Sequence, residues 1–281
     1  MKKPLVMGII NVTPDSFSGD GIPPTADYVE RVTMLAEQMI ADGADILDIG
    51  GESSRPGSAP VSTEEEIRRV VPVIVALKKK FGSTPIAVDT VKAEVAEKAL
   101  EAGAVIINDI SALAGDARMG EVAARANAEI VLMHNRAKAN AVSHDAKVGG
   151  QYDAPLYEDI VADVVRDLKE RIEAAEKAGI ARNKIILDPG IGFGKTPEQN
   201  LTLIAQIGKI KGLGFPVLIG PSRKSFIGHT LGATVDERLE GTAACVAIAV
   251  LQGANIVRVH DVKFMARVVK MAAALKNAQA S

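Results

Sequence analysis

The sequence predicts a single α/β domain, a (β/α)8 (TIM) barrel spanning residues 1–281, and three observations predict it. Short β-branched apolar runs alternate with helical stretches along the chain, and strict alternation implies a parallel sheet with helices packed outside it. The units are eight and of even size, which favours closure over an open doubly wound sheet, and 281 residues suit a barrel's usual ~250. A polar residue stands at the C-terminal end of each run, with no matching set at the starts, which is the asymmetry of a barrel's active face.

The elements follow in order. Leu5–Ile10 is the first strand and ends at Asn11. Four later strands share one signature: Gly or Asn closes a helix in the left-handed conformation, Ala follows, and then a buried run. It occurs as Gly43-Ala44 before Ile46–Ile49, Gly103-Ala104 before Val105–Ile107, Asn127-Ala128 before Ile130–Met133, and Gly253-Ala254 before Ile256–Val259. Gly214-Phe215-Pro216 before Val217–Ile219 is a variant, and Ile86–Val88 and Ile185–Leu187 complete the set. Helices are expected over approximately 26–42, 64–80, 92–102, 119–126, 156–178, 198–209, 236–252 and 262–276. Ser62-x-x-Glu65 and Thr234-x-x-Glu237 read as capping boxes, and Asp261 as a cap for the last helix. Long connections at 11–25 and 50–62 overhang the catalytic face; a third, 134–155, receives no role.

Composition excludes several classes. Lys plus Arg number 33 against 35 Asp plus Glu, which argues against general nucleic-acid or membrane-surface binding. No stretch is long and apolar enough to span a bilayer, and the N-terminus lacks a cleavage pattern, so a cytoplasmic location is expected. The single cysteine, Cys245, lies in a small-residue run and reads as a buried structural thiol.

The residues ending the strands are Asn11, Asp48, Asp89, Asn108, His134, Asp188, then Ser222 with Lys224, then Arg258 with His260. In a barrel all converge on one mouth. A lone Asp there can equally be a helix cap, as Asp89 before Thr90 illustrates, but Asn108, His134, Lys224, Arg258 and His260 are poor caps. The cations cluster after the last two strands, where barrels often bind phosphate, and Gly220 would permit close backbone approach. Arg223 reads as a structural ion-pair partner. Asp188 to Thr196 superficially suggests a phosphate-binding P-loop, but Pro189 occupies the first Gly position; its glycines instead suit a tight turn presenting Phe193, with Thr196 and Pro197 starting a helix. Asn11 is either a turn residue or one ligand of a hydrated Mg2+.

Several stretches resemble the dihydropteroate synthases, the folate-pathway family of pterin-binding barrels. They are Met7 to Ser18, Asp48 to Gly57, Asp89-Thr90, Asn108 to Ser111, Met133-His134, Asp188 to Lys195, Gly220 to Ser225 and Arg258 to Val262. The run after His134, Asn135-Arg136-Ala137-Lys138, departs from the family's usual Met-Arg-Gly. The resemblance implies condensation of 6-hydroxymethyl-7,8-dihydropterin diphosphate with p-aminobenzoate, with Mg2+ as cofactor. It also implies a homodimer, for which the small-residue helix near Ala243–Ala249 is a candidate interface. By family position, Asp89, Asn108, Met133, Asp188, Phe193, Lys224 and Arg258 would bind the pterin, with Ile110 as a further apolar wall. Asn11, Arg258 and His260 would meet the diphosphate, Asn11 also reaching the metal. Ser54, Arg55 and Ser225 would hold p-aminobenzoate. Asp89, Lys224, Asp15 and Arg55 are the expected catalytic groups of a dissociative substitution. A corrinoid-linked methyltransferase would share Asp89, Asn108 and Asp188 but needs no diphosphate site. A non-catalytic pterin binder would be expected to lose Asp15 or Arg55, and both are present.

Overall fold

The computed structural model describes residues 3–13, 21–53, 59–137, 142–145, 147–152 and 157–279. Helices and strands alternate as β1 (Leu5–Asn11), α1 (Tyr28–Ala41), β2 (Ile46–Gly50), α2 (Thr63–Lys80), β3 (Ile86–Asp89), α3 (Ala93–Glu101), β4 (Ile106–Asp109), α4 (Met119–Arg125) and β5 (Glu129–Met133). A hairpin of β6 (Val142–Asp145) and β7 (Gly149–Tyr152) interrupts the alternation. Then come α5 (Ile160–Lys177), β8 (Ile185–Asp188), α6 (Pro197–Ala205), α7 (Ile207–Lys211), β9 (Leu218–Ile219), α8 (Ser225–Leu231), α9 (Leu239–Gln252), β10 (Ile256–Val259) and α10 (Val262–Gln279).

The parallel strands follow one another around the sheet as β8-β5-β4-β3-β2-β1-β10-β9. A parallel bridge between Leu187 of β8 and Val217, just before β9, joins the two ends and closes the barrel. Each barrel strand contributes one side chain to an interior apolar cluster: Met7, Ile46, Ala87, Ile106, Val131, Ile186, Leu218 and Ile256. Burying a side chain of Ile or Leu size stabilises by about 1.5–3 kcal/mol, so this layer is a solid plug rather than a channel. A second, larger cluster fills the space between strands and helices.

The expected elements are all present, with three differences. The helix expected over 198–209 is broken at Gln206, whose φ of −119° lies outside the helical range, into α6 and α7. The segment before α9 begins with a 3-10 turn at Val235–Glu237, and the Thr234–Glu237 capping box caps that turn rather than the helix. The short helix α8 and the hairpin are additions that period and composition did not announce. At α2, Ser62 accepts from Glu65 N, but the Glu65 carboxylate turns to Arg68 and Arg69, so only half of that box forms. The Asp261 carboxylate takes a bidentate ion pair from Arg223 at 2.9 and 2.6 Å, and its carbonyl accepts from Met265 N at 3.0 Å. Among the described residues no helix is long and apolar enough to cross a membrane.

Candidate active site

Strand side chains alternate between faces, so residues two apart share a face. Two positions beyond the plug residues Ile46, Ala87, Ile106, Val131, Ile186 and Ile256 come Asp48, Asp89, Asn108, Met133, Asp188 and Arg258. A polar tier therefore sits directly on the apolar plug, at the C-terminal ends of the strands. Register keeps it together: Asn11 pairs with Gly50, Gly50 with Asp89, Asp89 with Asn108, and Met133 with Asp188. Asp48, Asn108 and Asp188 are buried, so each needs partners to offset its lost hydration.

Arg258 supplies them on one side of the tier. Its Nε donates to Asp48 Oδ2 at 2.5 Å and a terminal nitrogen donates to Asp89 Oδ2 at 2.6 Å. Asn108 Nδ2 also donates to Asp48 Oδ2, at 3.1 Å. Among the described residues, Asp48 Oδ1 is left without a hydrogen-bond partner. Burial pushes the Asp89 pKa up to about 7, against the pull of Arg258 and with the help of the Asp48 charge. Burial works against the Arg258 cation too, but Asp48 and Asp89 outweigh it and hold the guanidinium charged.

Asp188 and Lys224 form the other side. Asp188 Oδ1 accepts from Gly190 N at 2.7 Å, and burial raises its pKa against that bond and the neighbouring cations. Lys224 Nζ donates to the Ile191 carbonyl and lies 4.1 Å from the centre of the Phe193 ring. Burial lowers the Lys224 pKa to about 7, with Asp188 opposing the shift. Carboxylates, an amide and two cations thus converge above an apolar floor. Such a set can hold a flat heterocycle whose edge carries adjacent N–H donors and a carbonyl, with Met133 and Phe193 as apolar walls.

The loop after β8 owes its shape to glycine. Gly190, Gly192 and Gly194 have φ of +69°, +79° and +58°. A Cβ at Gly190 would run into the His134 carbonyl, and one at Gly192 into the Lys224 side chain. Lys195, only 2% exposed, closes this loop from behind: its Nζ donates to Gly190 O and Phe193 O at 2.9 Å each and to His134 O at 3.4 Å. Thr196 caps α6 in a full capping box with Gln199, and Pro197 is its first residue. This matches the expected turn and helix start.

After β9, Ser222 Oγ accepts from His260 N at 3.2 Å and shares a hydrogen bond of 3.0 Å with His260 Nδ1. Arg223 is an ion-pair partner of Asp261, as expected. Ser225 is the first residue of α8. Asn11 ends β1, and its carbonyl accepts from Ile22 N at 2.9 Å.

Three expectations need correction or limits. His134 does not belong to the mouth. It follows the inward-facing Met133, so strand alternation turns it outward, and its Nε2 meets Asp167 of α5 at 3.1 Å. Burial and the Lys195 charge lower its pKa to about 3, leaving a neutral imidazole. At Gly220 no protein neighbour demands glycine, since a Cβ would stand 3.7 Å from Arg258 Cβ, an ordinary contact, so the expected close approach there is one for a ligand alone. Asp15, Ser54 and Arg55 lie outside the described residues. Conversely, Asp48 carries more than its place at a strand end suggests, because it braces both Arg258 and Asn108; its position two residues beyond Ile46 is the signal for that role. Cys245 is half-buried, and burial pushes its thiol up to about 11, consistent with a structural rather than nucleophilic role.

The opposite pole carries a groove of about 810 Å³ across the strand starts, α3 and α4. Its charges serve each other, as Arg125 does with Glu97, and among the described residues no comparable tier of buried polar groups faces it.

Comparison with known proteins identifies the family. The model of the family described as pterin binding enzyme matches residues 7–260. Dihydropteroate synthase of Bacillus subtilis is 48% identical over 276 residues, covering 98% of this chain and 90% of that protein. A dihydropteroate synthase from Clostridium difficile, solved in the presence of pteroic acid, superposes with a TM-score of 0.86 at 40% identity and covers 98% of this chain and 97% of its own. The Xanthomonas albilineans enzyme in complex with 7,8-dihydropteroate gives 0.83 at 39% identity, over 98% and 94% of the two chains.

Proposed function

The chain belongs to the pterin-binding enzyme family and, within it, to the dihydropteroate synthases, and from that premise we propose how its own residues divide the work. The reaction joins 6-hydroxymethyl-7,8-dihydropterin diphosphate to p-aminobenzoate, giving 7,8-dihydropteroate and pyrophosphate. The observation that carries the assignment of roles is the buried polar tier, two residues above the plug on six of the eight barrel strands.

Asp188 accepts the ring N–H and exocyclic amine of the pterin edge together. Asn108 and Asp89 meet the remaining ring nitrogens, and Lys224 donates to the ring carbonyl. Met133, Ile110 and Phe193 wall the ring, and Arg258 stacks on it while reaching the diphosphate. Substitution is dissociative: the methylene C–O bond breaks and its electron pair leaves with pyrophosphate, which Arg258, His260 and Asn11 stabilise. The cation left on the pterin is stabilised by Asp89 and by Asp15 of the first loop. The amine of p-aminobenzoate, held by Ser225 with Ser54 and Arg55, then bonds to the methylene carbon and loses a proton to solvent.

Mg2+ belongs to the same proposal. Among the described residues no group of three His, Cys, Asp or Glu side chains is placed to hold a metal, which fits a hydrated ion that takes one protein ligand and leans on substrate phosphate. Asn11 would hold it, and it would supply neutralisation of the departing diphosphate.

A homodimer and a cytoplasmic location complete the reading. Phe264, Met271 and Leu275, 50%, 60% and 48% exposed, share one stripe of α10, and Ile248 is exposed on α9, the helix beside it that carries Ala243–Ala249. An exposed apolar stripe at this spacing suits a second copy of the chain.

The test is direct. Purified protein, Mg2+, the pterin diphosphate and p-aminobenzoate should release pyrophosphate in step with dihydropteroate. Pyrophosphate without dihydropteroate, or neither, would overturn the assignment.

A further inference from the structure

Arg238 heads the fully buried side chains among the described residues, at 1% exposure. Burial lowers its pKa. Its hydrogen bonds go to three main-chain carbonyls rather than to a carboxylate: Arg223 O at 2.9 Å, Val148 O at 3.0 Å and Ala233 O at 3.3 Å. Its Nε has no partner among the described residues. Burying a guanidinium this way is costly, and the backbone around it has been cleared to allow it. Gly228 packs against the guanidinium so closely that a Cβ would stand 2.5 Å from one terminal nitrogen and 2.8 Å from Ala233 O.

The first of those carbonyls belongs to a strained residue. Arg223 lies at φ +58° between Ser222 and Lys224. A non-glycine residue stays in the left-handed region only where its surroundings over-determine it. Here the peptide is gripped from three sides. Arg223 N donates to Thr242 Oγ1 at 3.2 Å, its side chain pairs with Asp261, and its carbonyl accepts from Arg238. Arg223 stands between Ser222, which meets His260, and Lys224, which meets the Ile191 carbonyl.

The second carbonyl, Val148 O, comes from the turn between β6 and β7. Asp145 Oδ1 shapes this turn, accepting from Lys147 N at 2.8 Å and Val148 N at 2.9 Å, and Gly149 closes it at φ +84°. Beside the packing of β7 on α8, the hairpin thus reaches the Lys224 loop through a buried guanidinium.

We propose that Arg238 is a positioning residue for the reaction: it ties the Arg223 carbonyl to the β6–β7 turn, and so sets the aim of Lys224. The proposal rests on the placement of Lys224 in the pterin pocket. It gives the hairpin a task in catalysis that its distance in sequence conceals.

The experiment compares wild type, Arg238→Lys, Arg238→Met, Asp145→Ala and the Asp145→Ala/Arg238→Lys double variant by melting temperature, kcat and KM for each substrate. Arg238→Met leaves the three carbonyls without a donor and should melt well below wild type. Arg238→Lys keeps the charge and most of the stability, but an ammonium cannot span the same carbonyls. Its kcat/KM for pterin diphosphate should fall on the order of tenfold or more, since a misplacement of about 1 Å can cost roughly a hundredfold. Asp145→Ala should raise KM for pterin diphosphate severalfold, and should add nothing in the Arg238→Lys background, because both act through one connection. Wild-type kcat and KM in Arg238→Lys would overturn the proposal, as would full additivity of the two changes. Absence of pyrophosphate from wild type in the same assay would discard the pterin assignment and this proposal with it. A competent wild type beside a competent Arg238→Lys would discard the positioning role alone.

Discussion

Asp89 and Lys224 are both pushed to about 7, and the roles proposed for them require opposite forms. Asp89 must be ionised to stabilise a cation, so activity should rise with pH through about 7. Lys224 must be protonated to donate, so activity should fall again as pH climbs beyond about 7. The two share a pocket with Arg258 and Asp188, so the limbs belong to the set rather than to either residue. A narrow bell in kcat/KM is expected, and Asp89→Asn should lower kcat on the order of a hundredfold and erase the acid limb. A flat profile from about pH 5 to about pH 9 in wild type would contradict these roles, since both groups change charge inside that window. At this scale the sequence was readable wherever a polar residue ends an apolar run, because the end of a strand is local information. Facing was harder to see. His134 and Met133 are neighbours, and only strand register decides which of the two turns inward.

The glycine-rich loop after β8 shows what a segment must satisfy at once. Its three left-handed residues were legible as a turn, but the reasons lie elsewhere in the chain: the His134 carbonyl, the Lys224 stem and the Lys195 ammonium. Gly190→Ala should therefore cost more than the roughly 1–2 kcal/mol of a left-handed alanine, because its methyl also meets the His134 carbonyl. Gly214, at φ +87° and with open space out to 4 Å from where a methyl would stand, is the matched comparison. Urea unfolding should show the larger loss at Gly190→Ala; equal losses would mean that the loop shifts freely. The hairpin and α8 escaped the sequence reading for a similar reason. The hairpin's four-residue strands are too short for period to register, and α8 begins inside a stretch whose composition suits a phosphate-binding loop.

For the molecule as a whole, closure makes the site. The Leu187–Val217 bridge brings β8 beside β9, so that Asp188 and Lys224 can meet across the seam. The fold class was legible from repetition alone, whereas the exposed apolar stripe on α10, the proposed interface, was not, since such a row looks like a core face until burial is known. Phe264→Lys with Met271→Lys should convert a dimer to a monomer by sedimentation velocity, with the secondary structure unchanged. A wild type that sediments as a monomer would remove the basis for the interface.

The most direct check of the inward-facing tier compares Asn108→Ala with His134→Gln by calorimetric titration with the pterin diphosphate. Asn108 stands on the inner face and His134 on the outer, though both end a strand. Asn108→Ala should weaken binding on the order of tenfold, the loss of one or two buried hydrogen bonds, while His134→Gln lowers the melting temperature and leaves affinity near that of wild type. Undiminished binding by Asn108→Ala, with affinity lost instead in His134→Gln, would contradict the account.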